Sequence, residues 1–351
     1  MICYLLLFIL LSCSASEAIH SDLSDPSEIP PGKFSNPILA SAPDPWVWQK
    51  DGYYYFTHTT AVNLKLYRTK TMSDLSQAES MVVWTPPPTG MNAKEIWAPE
   101  IHFINGKWYF YYAADDGNNH NHRMWVLENA SANPLEGAWT DKGQLLLPDD
   151  KWAIDASVFE HNGQLYCIWS GWEGEENVSQ NIYIVKMQNP WTPEGERVMI
   201  STPEYDWEKK GSTSDLPTVN EGPQFLQKED KLFIVYSASG CWTDDYVLGL
   251  LTARADADLM DPQAWKKSET PVFEKNPEGQ AFGPGHNGFF KSPDGTEDWI
   301  IYHANPESGQ GCGGKRSARI QKFTWKADGT PDFGTPVSLK DHLEKPSGEP
   351  E

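Results

Sequence analysis

Five segments of this chain repeat one pattern, and that repeat restricts the fold more tightly than any other feature. The clearest copy runs from Ala153 to Gly171, AIDASVFEHNGQLYCIWSG. It opens on a carboxylate, Asp155, set among small residues. An apolar run follows (Val158, Phe159), then Asn162-Gly163, then Leu165, Tyr166, Ile168 and Trp169. Asn-Gly between two β-prone runs predicts a hairpin, because a type I′ turn needs φ > 0 at both central positions. The same order recurs at Asp44 (PDPWVWQKDGYYYFTHT), Glu100 (PEIHFINGKWYFYYAA) and Glu221 (EGPQFLQKEDKLFIVYSA). It recurs once more at His286 (GHNGFFKSPDGTEDWIIYHA), with a histidine in the first slot.

The copies start at 44, 100, 155, 221 and 286, a spacing of 56, 55, 66 and 65 residues. A fixed period of this kind points to a solenoid or a propeller. Each hairpin is followed by a further β-like run (LKLYRTKT, HRMWVLEN, NIYIVKMQ, YVLGLLTA, SARIQKFTW), and most units close on a Trp-bearing or Pro-rich segment. Four short strands per unit are the content of one propeller blade. The expected fold is all-β, a five-bladed β-propeller over residues 36–340 with four-stranded antiparallel blades around a central channel.

Outside the repeats, residues 1–16 (MICYLLLFILLSCSAS) carry no charge and hold an apolar run suited to a signal peptide and too short to span a bilayer. LLSC ending at Cys13 resembles a lipobox, which would lipidate Cys13; cleavage near Ala15 or Ala18 is the alternative. Either route predicts export. Residues 17–35 read as a flexible tether and 341–351 as a disordered tail. The net charge of −21 argues against nucleic acid and anionic membrane as partners. Aromatic residues make up 13% of the chain, with 16 Trp, which suits sugar stacking as well as blade packing. Cys241 and Cys312 fall in equivalent loops of blades four and five, where a disulfide is expected in an exported protein, while Cys167 reads as a buried thiol. The expected unit is a monomer.

The chemistry lies in the first slot. Innermost strands of a propeller line its axis, so Asp44, Glu100, Asp155, Glu221 and His286 should ring one mouth of the channel. Charges there are unfavourable unless paired, solvated or used. The chain has no G-x-S-x-G elbow, P-loop or H-E-x-x-H motif. Converging carboxylates without those motifs suggest hydrolysis of an acetal, which needs one acid to protonate the leaving oxygen and a second carboxylate to activate water or attack.

At these residues the sequence resembles glycoside hydrolase family 43, five-bladed propellers that remove arabinofuranose or xylose from plant cell-wall polysaccharides. The resemblance implies that Asp44 in APDPW is the general base and Glu221 in NEGP the general acid. It implies that Asp155 in IDAS orients that acid and tunes its pKa, in an inverting reaction. His286 in GPGHNGFF matches the axis histidine that in some members helps hold Ca2+ or another ion through water; no other cofactor is expected. Trp97-Ala98-Pro99-Glu100 matches a further family motif, with Glu100 read as structural.

The stretch GCGGKRSARIQKFTWKADGTPDFGTPV resembles the exo-acting α-L-arabinofuranosidases of the family, which act on arabinan or arabinoxylan. A β-xylosidase, an endo-arabinanase and a non-catalytic glycan-binding propeller are the alternatives. Substrate-binding candidates are Trp97, Trp172, His286 and Arg319. Arg316 and Arg319 both lie where a basic residue could meet the acid ring, and strand alternation puts Arg319 on a face with Ser317 and Gln321.

Overall fold

The computed structural model describes residues 29–350, so the expected leader, Cys13 and most of the tether lie outside the described residues. Five four-stranded units follow one another along the chain. Their innermost strands are Trp46–Lys50, Lys94–Ile104, Ala153–His161, Thr218–Lys228 and Phe282–Lys291. Each pairs antiparallel with the strand after it, and the order inside each blade follows the sequence. Blades three and four are also stitched by a short parallel pairing, Ser179 with Thr218 and Gln180 with Val219.

The expected turns are present. Asn162 and Gly163 have φ of 51° and 77° between paired His161 and Gln164. Asp51-Gly52 and Asn105-Gly106 are likewise left-handed at both positions. In each, glycine takes the second position, where a side chain would be strained.

Apolar residues point to both faces of the blades because every face meets a neighbour. One cluster joins blades one and two, where Tyr55 and Leu66 meet Phe110 and Leu127. A second joins two and three through Tyr111, Val126, Trp169 and Val185. Ile184 and Leu251 belong to the third, and Leu250 and Tyr302 to the fourth. The fifth sets Val47 and Phe56 of blade one against Phe290 and Ile320 of blade five. Five clusters for five blade interfaces make the ring closed.

Closure is reinforced by segments that local sequence reads as unstructured. Lys33–Phe34, within the expected tether, pairs antiparallel with Leu343–Glu344, within the expected tail. The tail then crosses blade five, where Ser347 N–H donates to Glu297 at 3.0 Å, and reaches blade one. There the Glu349 carboxylate accepts from the backbone N–H of Met72 at 2.6 Å and of Ser73 at 3.2 Å. The tail is therefore an ordered strap. Its Pro- and Gly-rich composition hides this, because its partners are distant in sequence. Glu349→Ala should lower stability by about 1–2 kcal/mol, the scale of charge-assisted bonds lost at a partly buried site. The check is a denaturant midpoint that falls at constant m-value; an unchanged midpoint would contradict the strap.

Candidate active site

At the head of every inner strand the chain passes through the left-handed region. The residues are Asp44 (φ 55°), Ala98 (φ 40°), Asp155 (φ 58°), Gly222 (φ 55°) and His286 (φ 48°). In blades two to five the pairing ladder shifts at this point, between Trp97 and Glu100, Ile154 and Ser157, Glu221 and Gln224, and Gly285 and Gly288. Such bulges re-aim a side chain that regular pleating would send into a blade interface. A non-glycine residue held there costs about 1–2 kcal/mol, so the surroundings must hold it.

They do so with hydrogen bonds, most of them from neighbouring blades. The Asp44 N–H donates to His303 Nδ1 at 3.1 Å, and the His286 N–H to Ser237 Oγ at 2.8 Å. Thr59 Oγ1 donates to Asp44 Oδ2 at 2.7 Å and accepts from the Ala98 N–H at 2.6 Å. The Gly222 N–H donates to Asp155 Oδ2 at 2.9 Å. Two glycines make the approach feasible: a Cβ on Gly222 would sit 3.2 Å from the His286 ring, and one on Gly285 would overlap Tyr246.

The carboxylates are driven to different protonation states. Burial pushes Asp44 up, but Arg316, His286, His303 and the Thr59 hydroxyl together hold it below the usual carboxylate range. Arg316 Nη1 lies 2.7 Å from Asp44 Oδ1. His286 Nδ1 lies 3.5 Å from the same oxygen. Burial keeps both His286 and His303 below their ordinary value, so Arg316 is the fixed positive charge. Burial pushes Glu221 up to about 7; the Tyr246 hydroxyl, donating at 2.8 Å to Oε1, opposes this, and the Asp44 charge adds to it. Asp155 is raised as well, by burial and then by Glu221 and Asp44. Asp155 and Glu221 therefore titrate as a pair that holds a proton more tightly than separate carboxyls would.

The ring contains the acids and the histidine expected at its head. Glu100 is 3% exposed and bound by His102 Nε2 at 2.8 Å and by Gln224. Two expectations are corrected. Arg319 is fully buried in blade five, donating to Ser317 Oγ at 3.2 Å and Ala304 O at 3.4 Å, with its pKa lowered to about 10 by burial. Alternation turns it away from the axis, and Arg316, just ahead of the strand, meets the ring instead. Trp172 is 3% exposed and stacks on Trp152 at 4.9 Å between centroids, so it is core and cannot be an open platform. Trp97 is half-buried and stacks on His122 at 4.1 Å. Among the described residues no group of three His, Cys, Asp or Glu side chains is arranged to hold a metal ion directly. The Cys241–Cys312 disulfide is formed, and Cys167 is free and buried.

Sequence reasoning missed Thr59, Ser237, Tyr246 and His303. Each lies in or beside a second or third strand and acts on a residue of another strand or strand head, from 15 to 259 positions away, so no local pattern marks it.

A closed ring of five blades with acids converging at one mouth defines the class: a five-bladed β-propeller whose site lies on its axis. The chain belongs to the glycosyl hydrolases family 43, whose family profile matches residues 34–331. It is 42% identical over 314 residues to an "Extracellular exo-alpha-(1->5)-L-arabinofuranosidase" of Streptomyces avermitilis, covering 87% of this chain and 64% of that protein. It is 39% identical over 321 residues to "Alpha-L-arabinofuranosidase 43" of Humicola insolens, covering 88% of this chain and 64% of that protein. The chain thus spans 64% of the length of both relatives. The crystal structure of an alpha-L-arabinofuranosidase from Lactobacillus brevis superposes with a TM-score of 0.82 at 39% identity, covering 88% of this chain and 98% of that one.

The raised Glu221 predicts a pH-dependent stability. Its folded value of about 7 lies above the ordinary 4.5, so the folded state binds the proton more tightly. Stability from this group is complete below the ordinary value and is lost as pH rises toward about 7. Glu221→Gln removes that loss. Its melting temperature, relative to the parent, should gain a few degrees more at about pH 8 than at about pH 4. An equal difference at both would mean that Glu221 is not raised.

Proposed function

We propose that the protein is an exported, exo-acting α-L-arabinofuranosidase that releases terminal L-arabinofuranose from arabinan or arabinoxylan side chains. The relatives' names support the substrate and the extracellular setting. The observation that carries the reading is the split between Asp44, held ionised by Arg316, and Glu221, pushed up to about 7. Two carboxyls driven apart by their environments are what an acid/base pair at an acetal requires.

In this scheme Glu221 is the general acid. Tyr246 occupies Oε1, leaving Oε2 to carry the proton that passes to the leaving oxygen as the glycosidic bond breaks. Asp44 is the general base. It orients a water on the opposite face and takes its proton as the oxygen bonds to the anomeric carbon, giving the inverted sugar. A carboxylate held this low is a weak base, which suffices because the sugar already carries cationic character when water attacks. Asp155 aligns the Glu221 strand by accepting from the Gly222 N–H and is proposed to tune that acid as the second member of a coupled carboxyl pair. His286 and Trp97 are proposed to border the sugar. The ion read from sequence at the axis would have to be held through water, since Asp44 is the one carboxylate within 4 Å of the His286 ring nitrogens among the described residues.

The test is hydrolysis of aryl α-L-arabinofuranoside against aryl β-xyloside. The parent should prefer the arabinoside by tenfold or more, and a preference for xyloside would replace the reading with the β-xylosidase one. Glu221→Ala should lose about 10²–10⁴-fold on arabino-oligosaccharide, the usual span of general-acid catalysis, and far less on an activated aryl glycoside. Equal losses on both would remove Glu221 from the acid role.

A further inference from the structure

The acid and the base lean on one buried ring. His303 lies in the second strand of blade five, and its imidazole is fully buried. It stacks on Tyr246 with centroids 5.6 Å apart and planes 12° from parallel. It also stacks on His286, at 6.0 Å and 27°. Both separations lie in the range of offset aromatic pairs. Each neighbour serves a carboxyl: Tyr246 donates to Glu221 Oε1 at 2.8 Å, and His286 lies 3.5 Å from Asp44.

The hydrogen bonding of the ring has a fixed direction. The Asp44 N–H meets His303 Nδ1 at 3.1 Å, and a backbone N–H can only donate. Nδ1 is therefore unprotonated, and the proton of the neutral ring sits on Nε2. Asp44 Oδ1 lies 3.5 Å from Nδ1, too far for a hydrogen bond. Nε2 has no hydrogen-bond partner among the described residues, so the bond to Asp44 is the one the ring makes there. It falls where the backbone needs it. Asp44 has φ of 55°, a region that a residue with a Cβ leaves unless its surroundings hold it.

We propose that His303 is a positioning residue with two separable actions: Nδ1 pins the base Asp44, and the ring face braces Tyr246 against the acid Glu221. This rests on the acid and base roles given above. Two substitutions each keep one action. Asn carries a side-chain oxygen at the same remove from Cβ as Nδ1 and has no ring. Phe keeps a flat ring and has no acceptor.

The test is the steady-state kinetics of His303→Phe and His303→Asn on an activated aryl α-L-arabinofuranoside and on arabino-oligosaccharide. Water must be activated for both substrates, whereas proton donation matters most for the poorer leaving group. His303→Phe should lower kcat by about ten- to a hundredfold on both, the cost of a slightly misplaced group, with KM nearly unchanged. His303→Asn should recover most of that loss on the aryl glycoside. On the oligosaccharide it should stay about tenfold down, the worth of one hydrogen bond, and Tyr246→Phe should share that selective loss. A ring that merely fills space predicts the reverse order, because Phe is the closer match in shape. That order, or an Asn variant no better than Phe on the aryl glycoside, would overturn the proposal. Nitrogen-15 NMR of the parent, with the His303 signals assigned by their loss in either variant, should find Nδ1 bare and Nε2 protonated at neutral pH. This decides the matter if His303→Phe does not fold, and a proton on Nδ1 would overturn the proposal. Glu221→Ala reports separately on the underlying roles. Its selective loss combined with the wrong order at His303 overturns this proposal alone, and its equal losses on the two substrates overturn both.

Discussion

One ion pair depends on the whole ring and organises its site. Asp44 heads the first blade and Arg316 precedes the third strand of the last, yet their charged groups lie 2.7 Å apart. Only a closed circle brings those ends of the chain together. Burying Asp44 alone would neutralise it, and the arginine, supported by Thr59, keeps it ionised. Burial raises Glu221 and Asp155, and that retained charge adds to the rise of both. Closure, a fixed anion and a raised acid are therefore one linked arrangement.

The loops around the site are tied in the same way. Tyr246, which holds Glu221, lies shortly after Cys241, and Arg316, which holds Asp44, lies shortly after Cys312. The disulfide between those cysteines joins the two loops. Asp244 adds a second tie, accepting from the Gly309 N–H at 2.9 Å. The groups that contact Glu221 and Asp44 thus share one covalently joined rim, a rigid support of the kind a preorganised site needs.

The blades were legible because each is a local pattern. Asn162-Gly163 and its counterparts announce their turns, and the acid slot precedes each hairpin at a constant place. The two bridging cysteines could be paired because equivalent loops of neighbouring blades adjoin. What escaped was information carried between strands. Thr59 and Tyr246 matter through partners on other strands, and nothing adjacent to them in the chain marks that role. The choice between Arg316 and Arg319 turned on where the strand begins, since alternation orients a side chain only once the strand has started. Trp172 shows the matching ambiguity of aromatics, which pack blades as readily as they face sugars. The tail was misread because Glu349 finds its donors at Met72 and Ser73, most of the chain away.

The central claim is that the ring holds Asp44 charged and Glu221 protonated near neutrality. Carbon-13 NMR of the side-chain carboxyls, followed through a pH titration and assigned with Asp44→Asn and Glu221→Gln, measures both states directly. The account predicts that Asp44 stays ionised below the ordinary carboxylate range while Glu221 titrates near 7. Titration of both groups together at ordinary carboxylate values, about 4, would contradict it.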